Sequence, residues 1–455
     1  MSDRTKPLSG YTILDLTWVY SGPYCTSMLL DFGADVIKIE GPKRGDHSRD
    51  FPPFKNGVSG YYYGINRGKR SIALNLKSEK GKALFLEMVK KADMVVENFV
   101  PGVMEKMGLG YDVLKEINPR LIYGSVYGFG SWGPYSKMRG LDSVAQAMGG
   151  LMSLTGYPGM PPLKTGPAVA DAVCGMYLCI GLLAAALERE KTGEGKRVEV
   201  GMMDAVFSVL EDCVVRASLE GKAFPPRGNT DPLGAPWDAY ETCDGRWVML
   251  CSMGGASFEK IYRSIGRDDI ADEFSGEGED AIARRSAARD EHNAALAEWA
   301  KRHTSDELIR IAEEARISCG PVLTIPELLE DPHLKAREMV VDIKHPRMGD
   351  IKTFNNPIMF DEHSVGIAPG ENPLEPEIGE HDAEVLSGNR FLREITVLEY
   401  IAIAEPAVNL IEAAFSLPAL DHSLVISDVE ICKMVFSHVS QSSMSPVLRA
   451  AMAIR

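Results

Sequence analysis

Short apolar segments alternate with amphipathic stretches over the first third of the chain. The apolar segments have the length and composition of strands and cover residues 11–16, 35–40, 70–76, 93–97 and 121–127. Helical periodicity lies between them, at residues 24–32, 79–91 and 110–117. Strands that alternate with helices at this spacing predict a doubly wound α/β domain with a mostly parallel sheet.

The turn after the first predicted strand bears on the class of ligand. Ser21-Gly22-Pro23 follows that strand, at the place where a dinucleotide-binding domain carries G-x-G-x-x-G. The missing glycines are those that let the backbone approach a pyrophosphate. The sequence therefore gives little support to a nicotinamide-dependent dehydrogenase.

The pattern changes after a further strand at residues 198–200. A long helical pattern covers 203–219, a proline-rich linker covers 223–237, and 239–251 is typical of a hairpin that turns at Asp244-Gly245. The glycine pair in 252–256 is either a strand-to-helix turn, which we favour, or a mobile lid. These shifts predict four regions: a large α/β domain at 1–225, a smaller α+β domain at 226–330, a segment that returns to the large domain at 331–390, and a helix-prone tail of unassigned role at 391–455.

Composition and charge narrow the choice of partners. The net charge of −15 disfavours nucleic acid and anionic membranes as partners. The eight cysteines form no C-x-x-C pair and no cluster with histidine at metal-ligand spacing, so we expect reduced thiols in the cytoplasm and no metal. The apolar run 176–187 ends at Glu188, which favours a buried helix over a membrane span.

Positive charge is concentrated in the first quarter of the chain, where residues 1–110 carry 16 Lys and Arg against 12 Asp and Glu. A phosphate-bearing small molecule needs such cations. The candidate basic residues are Lys38, Lys43, Arg44, Arg67, Lys69, Arg70, Lys77 and Lys106.

Asp171 is an isolated carboxylate among the small residues of 166–175, directly before the apolar run. An aspartate at a helix start most often caps the free N–H groups of the first turn. The alternative is chemical, because an aspartate with the ordinary pKa of about 3.9 is ionised at neutral pH and needs no general base to attack an acyl group. Alanine and glycine neighbours would leave room for a bulky substrate.

A series of ordered motifs resembles the class III CoA-transferases of the CaiB/BaiF type over roughly residues 1–385. The motifs are Leu8-Ser9-Gly10, Ile13-Leu14-Asp15, Ser21-Gly22-Pro23, the segment 33–40, the segment 66–71, Glu97-Asn98-Phe99, Pro101-Gly102, Gly166 with Asp171 and Gly175, the segment 191–206, Cys319-Gly320-Pro321-Val322 and Asp331-Pro332. Each match is weak alone, and their order along the chain makes the resemblance specific.

The resemblance implies a CoA-transferase that moves CoA from an acyl-CoA donor to a carboxylic acid, and a homodimer of two interlocked chains. Asp171 would be the nucleophile, passing through an aspartyl anhydride and an aspartyl-CoA thioester. Coenzyme A, the implied co-substrate, would be held in the large domain. Its implied contacts are Tyr20, Leu74, Lys77, Asn98, Phe99, Lys106, Met107, Arg139 and Met202.

Three departures from family patterns matter. Some members of the CoA-transferase family carry Arg directly after the strand at 35–40, where this chain has Gly41. α-Methylacyl-CoA racemases of the same fold use a histidine before the aspartate at position 142, and this chain has Leu141 there, which cannot carry a proton. Oxalate-handling members carry Gln where this chain has Tyr20. Leu141 therefore disfavours racemisation, which stays the alternative to CoA transfer. A non-catalytic CoA-binding protein, in which Asp171 is only a helix cap, is a third hypothesis.

Overall fold

The structure, a computed structural model, describes residues 6–231 and 234–387. The predicted tail at 391–455 lies outside the described residues. The chain divides into two compact units, and the first contains 6–151, 165–211 and 332–387. The second contains 152–164 and 212–331. The predicted large domain ends later, at 225, so the helix just after residue 212 groups with the second unit.

The strands are β1 (Thr12–Asp15), β2 (Asp35–Glu40), β3 (Phe54–Lys55), β4 (Val58–Ser59), β5 (Arg70–Ala73), β6 (Met94–Glu97), β7 (Ile122–Tyr127), β8 (Arg197–Gly201), β9 (Trp237–Glu241), β10 (Trp247–Cys251), β11 (Ser318–Pro321), β12 (Val340–His345), β13 (Gly349–Phe354), β14 (Met359–Phe360) and β15 (His363–Ser364). The helices are α1 (Ser21–Asp31), α2 (Gly60–Asn66), α3 (Glu79–Val89), α4 (Val103–Lys106), α5 (Tyr111–Ile117), α6 (Asp142–Met148), α7 (Leu151–Leu154), α8 (Val169–Thr192), α9 (Met202–Ser208), α10 (Cys213–Glu220), α11 (Gly255–Ser264), α12 (Asp268–Glu273), α13 (Glu279–Ala287), α14 (Arg289–Ala300), α15 (Ser305–Glu314), α16 (Ile325–Glu330), α17 (Pro332–Ala336) and α18 (Asp382–Ser387). A 3-10 helix covers His47–Asp50.

A parallel sheet of six strands organises the first unit, in the order β5-β2-β1-β6-β7-β8. Leu14 of β1 pairs with Ile37 on one side and with Val95 on the other. The predicted parallel sheet is therefore confirmed. The chain builds outward from β1 to β5 and then returns to start again at β6, so the direction of winding reverses between β1 and β6. In open sheets of this kind, ligands bind outside the carboxyl ends of the strands at such a reversal.

Both faces of this sheet are covered, which explains why its central strands are buried throughout. On one face, Ile13, Val96 and Ile122 form a core with Leu178 and Leu182 of α8. On the other face, Leu14, Ile37 and Val95 pack with Phe85 and Met88 of α3. Successive side chains of a strand point to opposite faces, so Ile13 and Leu14 enter different cores.

The second unit contains an antiparallel sheet in the order β11-β10-β9. The predicted hairpin is confirmed, since β9 and β10 pair antiparallel and Gly245 sits in the connecting turn with φ of +72°. Val248 and Leu250 of β10 are fully buried against helices such as α11 and α14. The glycine pair of 252–256 links β10 to α11 and forms the strand-to-helix turn that we favoured.

Two local predictions are wrong. The continuous helix at 203–219 is two helices, α9 and α10, and Glu211 between them is in the left-handed region with φ of +51°. No Gly or Pro marks this break in the sequence. The turn at Ser21-Gly22-Pro23 is instead the first turn of α1. Proline is tolerated there because an N–H in the first turn of a helix has no intrahelical partner.

Helix α8 is long and apolar enough, by length and composition, to cross a membrane, and within the described residues it alone meets that test. It has a buried side, where Leu178 and Leu182 pack on the sheet. Its other side exposes Met176, Ile180 and Leu187. The side that packs on the sheet agrees with the buried helix predicted from the sequence.

Candidate active site

The carboxyl edge of the parallel sheet gathers five of the residues predicted to contact CoA. Tyr20 follows β1 and Leu74 follows β5. Asn98 and Phe99 follow β6, and Met202 begins α9 directly after β8. Parallel strands end at the same edge, so residues far apart in sequence come to one crevice. The positions of these five residues agree with a ligand site at that edge.

Asp171 lies in the first turn of α8, and it is not the cap of that helix. The N-cap residue is Ala168, which makes no side-chain capping hydrogen bond. The capping hypothesis placed Asp171 just outside the helix, whereas the helix already begins at Val169. The interpretation of Asp171 as a cap is therefore wrong, because its own backbone is inside the first turn.

Asp142, from α6, performs the capping instead. Its Oδ1 accepts hydrogen bonds from the backbone N–H of Ala170 at 2.8 Å and of Asp171 at 3.3 Å. Its Oδ2 accepts one from Gln146 Nε2 at 2.7 Å, and Gln146 Oε1 accepts the backbone N–H of Thr165 at 3.0 Å. These partly buried contacts fix the start of α8, and the Asp171 carboxylate is not needed as its cap.

The electrostatic surroundings of Asp171 make it a weaker acid than a free aspartate. Burial, followed by the negative charge of Asp142, raises the pKa of Asp171 to about 6. The Ser21 side chain, within hydrogen-bonding reach, acts in the opposite direction and lowers that pKa. At pH 7 the carboxylate is still mostly ionised, and so it is both charged and poorly solvated. Such a group is a good nucleophile.

The start of α1 approaches α8 closely at one glycine. A Cβ on Gly175 would lie 2.6 Å from the backbone oxygen of Ser21, which no real side chain tolerates. Gly175 is one turn beyond Asp171, so this close contact brings the N-terminus of α1 to the carboxylate. Ser21 is buried there. The backbone N–H groups of a first helical turn have no intrahelical partner, and they favour negative charge.

An aromatic group borders the site. The rings of Tyr20 and Tyr24 are stacked with centroids 5.5 Å apart, and Tyr61 lies 6.1 Å from Tyr20. Burial raises the pKa of Tyr61, and the charge of Asp171 raises it further. The phenols are therefore neutral at physiological pH, and the rings supply apolar surface beside the nucleophile.

Asn98 and Phe99 are engaged with the loop between β1 and α1. Asn98 Oδ1 accepts the Trp18 N–H at 2.8 Å, and its Nδ2 donates to the Trp18 carbonyl at 2.7 Å. The Phe99 ring meets the Trp18 ring edge to face at 5.5 Å. Glu97, buried beneath them, accepts the Phe99 N–H at 2.7 Å. Asn98 thus acts on the protein backbone, and a role toward CoA stays a prediction.

The basic residues predicted to bind phosphate divide into two classes. Lys38, Lys69 and Arg67 are buried in ion pairs with Asp46, Asp15 and Asp31 respectively. A phosphate cannot reach such groups, so the proposal that these three bind phosphate is wrong. The accessible cations are Lys43, Arg44, Lys77, Lys106 and Arg139, which are exposed, and Arg70, which is partly buried and pairs with Asp35.

The predicted apolar contacts belong mainly to the cores. Leu74 and Met202 are buried, in the cores on opposite faces of the sheet. Met107 is partly buried and packs against the same core as Leu74. Met107 and Phe99 are partly exposed, so a ligand can contact part of each side chain.

The sequence alone does not predict these roles for Asp142, Gln146, Ser21 and Tyr61. Asp142 adjoins Leu141, and its place at the start of a helix is the one sequence signal of its role. Leu141 itself is 74% exposed and precedes that helix. Within the part of the chain that the structure describes, no group of three or more His, Cys, Asp or Glu could hold a metal ion.

Comparison with known proteins identifies the family of this chain. Residues 8–382 match the CoA-transferase family III. The chain belongs to this family. It is 38% identical to a succinyl-CoA:mesaconate CoA-transferase of Haloarcula marismortui, over 83% of this chain and 95% of the relative. It is 36% identical to an acetyl-CoA:oxalate CoA-transferase of Acetobacter aceti, over 83% of this chain and 94% of that one.

A solved structure supports the assignment of this CoA-transferase. A CaiB/BaiF family protein from Brucella suis superposes with a TM-score of 0.74 and 33% sequence identity. The match covers 84% of this chain and 99% of that protein. The resemblance recognised from the sequence motifs is therefore confirmed, and the protein is a transferase that uses CoA thioesters.

Proposed function

We propose that this enzyme moves CoA from an acyl-CoA to a carboxylic acid with Asp171 as the covalent nucleophile. The observation that carries the proposal is that two carboxylates, Asp142 and Asp171, have different roles at the start of α8. Asp142 takes the capping role, and Asp171 is left half-buried, ionised at neutral pH and beside the N-terminus of α1. A structural role alone gives no reason for a second charge there.

The reaction proceeds by exchange of acyl groups. A carboxylate oxygen of Asp171 attacks the thioester carbonyl, the C–S bond breaks, and CoA leaves as the thiolate with a mixed anhydride on Asp171. The thiolate then attacks the Asp171 carbonyl, which forms an aspartyl-CoA thioester and releases the donor acid as its carboxylate. An acceptor carboxylate repeats the two steps in reverse order, and Asp171 is regenerated.

Each step exchanges one anion for another, so no proton is gained or lost overall. The protein must instead stabilise the oxyanion of each tetrahedral intermediate. The candidate donors are the Ser21 hydroxyl, which hydrogen-bonds the Asp171 carboxylate, and the N-terminal turn of α1, which contacts α8 at Gly175. Their position supports this role.

A dicarboxylic acid system is the substrate class that we favour, with succinyl-CoA as donor. Relatives of this chain are named for succinate with mesaconate, with D-citramalate and with glutarate. Tyr20 replaces the Gln of oxalate-handling members and stacks on Tyr24, which makes this side of the site more apolar. Formyl-CoA with oxalate is the alternative pair, since relatives carry that name as well.

The experiment incubates the enzyme with succinyl-CoA or formyl-CoA, traps acyl-enzyme with hydroxylamine and maps it by mass spectrometry. We expect an adduct on the peptide that carries Asp171, formed from succinyl-CoA, and its loss in Asp171→Ala. Asp112→Asn is the matched control, because Asp112 also lies in the first turn of a helix but is exposed. Full transfer activity in Asp171→Ala would refute the mechanism.

Racemisation of a 2-methylacyl-CoA remains the competing activity, and the exposed Leu141 in place of a histidine disfavours it. Loss of the substrate α-hydrogen to deuterated water, without transfer of CoA, would reveal it. Deleting the helix-prone segment 391–455 and repeating these assays tests whether it has a role in the reaction.

A second copy of this chain is the partner that we propose. The exposed apolar residues Met176, Ile180 and Leu187 line one side of α8, and a partner that covered them would remove them from water. Sedimentation should show a dimer. We also propose a cytoplasmic location, in keeping with the scattered free thiols of the described residues.

A further inference from the structure

The loop between β1 and α1 contains a strained residue next to the proposed catalytic site. Val19 has φ of +71°, in the left-handed region. A β-branched residue is a rare occupant of that region, because its side chain crowds the backbone. Tyr20 and Ser21 follow directly, so the direction in which this loop leaves Val19 sets where they lie.

The strained peptide is held by a buried carboxylate. Asp46 Oδ1 accepts the Val19 N–H at 3.0 Å and also the Ser48 N–H at 2.8 Å. Asp46 is itself fixed, since its own N–H donates to Glu40 Oε1 at 2.8 Å. Its second oxygen lies 2.9 Å from Lys38 Nζ, and both side chains are completely buried.

Lys38 completes the arrangement from the neighbouring strand. Its Nζ also donates to the Thr17 carbonyl at 2.7 Å, two residues before Val19. Burial would raise the pKa of Asp46, but Lys38 and the two N–H donors outweigh burial and lower it. Both groups are therefore charged at neutral pH. A fully buried ion pair costs desolvation energy, and an apolar pair of similar size is often as stable, so stability alone does not explain it.

Neighbouring contacts restrain the loop on both sides of Val19. The Trp18 N–H and carbonyl are both bonded to Asn98. A Cβ on Gly22 would overlap the Thr17 side chain, so the first turn of α1 is pressed against the loop. The backbone therefore turns sharply at Val19, between these two restraints. Asp46 accepts the N–H of Val19 at this turn.

We propose that Asp46 is a positioning residue: its Oδ1 accepts the Val19 N–H, keeps Val19 in the left-handed conformation and so aims Tyr20 and Ser21 at Asp171, while Lys38 compensates the buried charge. The proposal rests on the proposed function of Asp171. Neither Asp46 nor Lys38 contacts the reacting atoms, so each acts through the loop. Misplacement of a catalytic group by about 1 Å can reduce a rate by about a hundredfold.

The test compares Asp46→Ala with a neutral double variant, which combines Lys38→Met and Asp46→Asn. The double variant removes both charges and keeps an oxygen that accepts the Val19 N–H. We expect single-turnover acylation by succinyl-CoA to fall at least about tenfold in Asp46→Ala, with a smaller change in KM, and to stay within about threefold of wild type in the double variant. Asp50→Ala is the control, because Asp50 lies in the same 3-10 helix and pairs only with the exposed Arg44 among the described residues.

Hydrogen exchange of the peptide covering 16–22 is the second readout, and it does not depend on any reaction. Exchange should be about tenfold faster in Asp46→Ala than in wild type or in the double variant. Wild-type acylation or unchanged exchange in Asp46→Ala would overturn the proposal, as would a double variant as slow as Asp46→Ala. If wild type forms no adduct, the function of Asp171 fails, while exchange still decides whether Asp46 holds the loop.

A second double variant combines Asp46→Ala and Val19→Gly. It is used if the single variant Asp46→Ala does not fold. Glycine adopts the left-handed region at no steric cost, so the loop keeps more of its conformation without Asp46. We expect this variant to acylate at least about threefold faster than a folded Asp46→Ala, and about threefold slower than Val19→Gly alone. A loss of about tenfold or more between Val19→Gly and this double variant would show that Asp46 does not act through Val19, and it would overturn the proposal.

Discussion

Asp142 caps the helix whose first turn carries Asp171. The carboxylate of Asp142 accepts the backbone N–H of Asp171 itself, at 3.3 Å, and that of Ala170 at 2.8 Å. The same negative charge raises the pKa of the Asp171 side chain. One residue therefore fixes the position of the proposed nucleophile and weakens its acidity, and most of the following predictions concern this pair.

The rate of acylation should fall on the acid side of about pH 6. The pKa of Asp171 is about 6, so below that pH the carboxyl group is mostly protonated and cannot attack. Single-turnover formation of the trapped adduct, measured from pH 5 to 8, should decrease about tenfold for each pH unit below 6. A rate that stays constant down to pH 5 would show that Asp171 is not the ionising nucleophile.

Asp142→Asn should shift this acid limb to lower pH. The asparagine keeps an oxygen for the N–H of Ala170, but the negative charge that raises the pKa of Asp171 is gone. Its NH2 would face the Gln146 NH2, so we also expect a loss of stability of about 1 kcal/mol. The same pH series of acylation rates measures the shift, with Asp112→Asn as a control that leaves the limb in place. An unmoved limb contradicts the coupling.

Asp171→Asn should stabilise the fold at pH 7, by on the order of 1 kcal/mol. The folded protein holds Asp171 with a pKa above the ordinary value of 3.8, so ionisation at neutral pH costs stability. That cost is complete above about pH 6 and disappears as the pH falls toward 4. Thermal unfolding of both proteins at pH 7 and pH 4.5 tests this, and the gain should shrink at the lower pH. A destabilised variant at pH 7 would be the contrary result.

Gly175→Ala should damage both stability and acylation. The added Cβ meets the Ser21 carbonyl oxygen at 2.6 Å, and a backbone atom cannot move aside cheaply. Overpacking of this kind costs about 1–3 kcal/mol and would push α1 away from Asp171. Gly320→Ala is the matched control, since no atom lies within 4 Å of the added Cβ. Denaturant unfolding and the trapping assay measure the two effects, and equal behaviour of the two variants would contradict the close contact.

His292 should make the second unit sensitive to acid. It is fully buried, and neither ring nitrogen has a hydrogen-bond partner among the described residues. Burial lowers its pKa to about 4, so the folded protein loses stability as the pH falls from about 6.5 to 4, by on the order of 2 kcal/mol. His292→Phe, whose ring suits the neighbouring Phe258 and Phe274, should remove this loss. Unfolding curves at pH 7 and 4.5 measure the loss. If the variant is as sensitive to acid as wild type, His292 is not its cause.

Much of the fold followed from the chain itself because its signals are local. The alternation of apolar strands and amphipathic helices predicted the parallel sheet, and Asp244-Gly245 predicted the hairpin turn. The break between α9 and α10 could not be foreseen, since Glu211 occupies the left-handed region without a Gly or Pro to mark it. The start of α1 was misplaced for a related reason, because proline signals both a turn and the first turn of a helix.

The sequence by itself determined the family, through the order of its motifs, and it singled out Asp171. Only the tertiary structure decided what Asp171 does at the start of α8, because the competing capping group comes from Asp142, 29 residues away. It also decided that Lys38, Lys69 and Arg67 are structural cations and that Val19 is strained. Charge and residue type are properties of the sequence, whereas burial, ion pairing and pKa depend on which groups the fold brings within a few ångströms of one another.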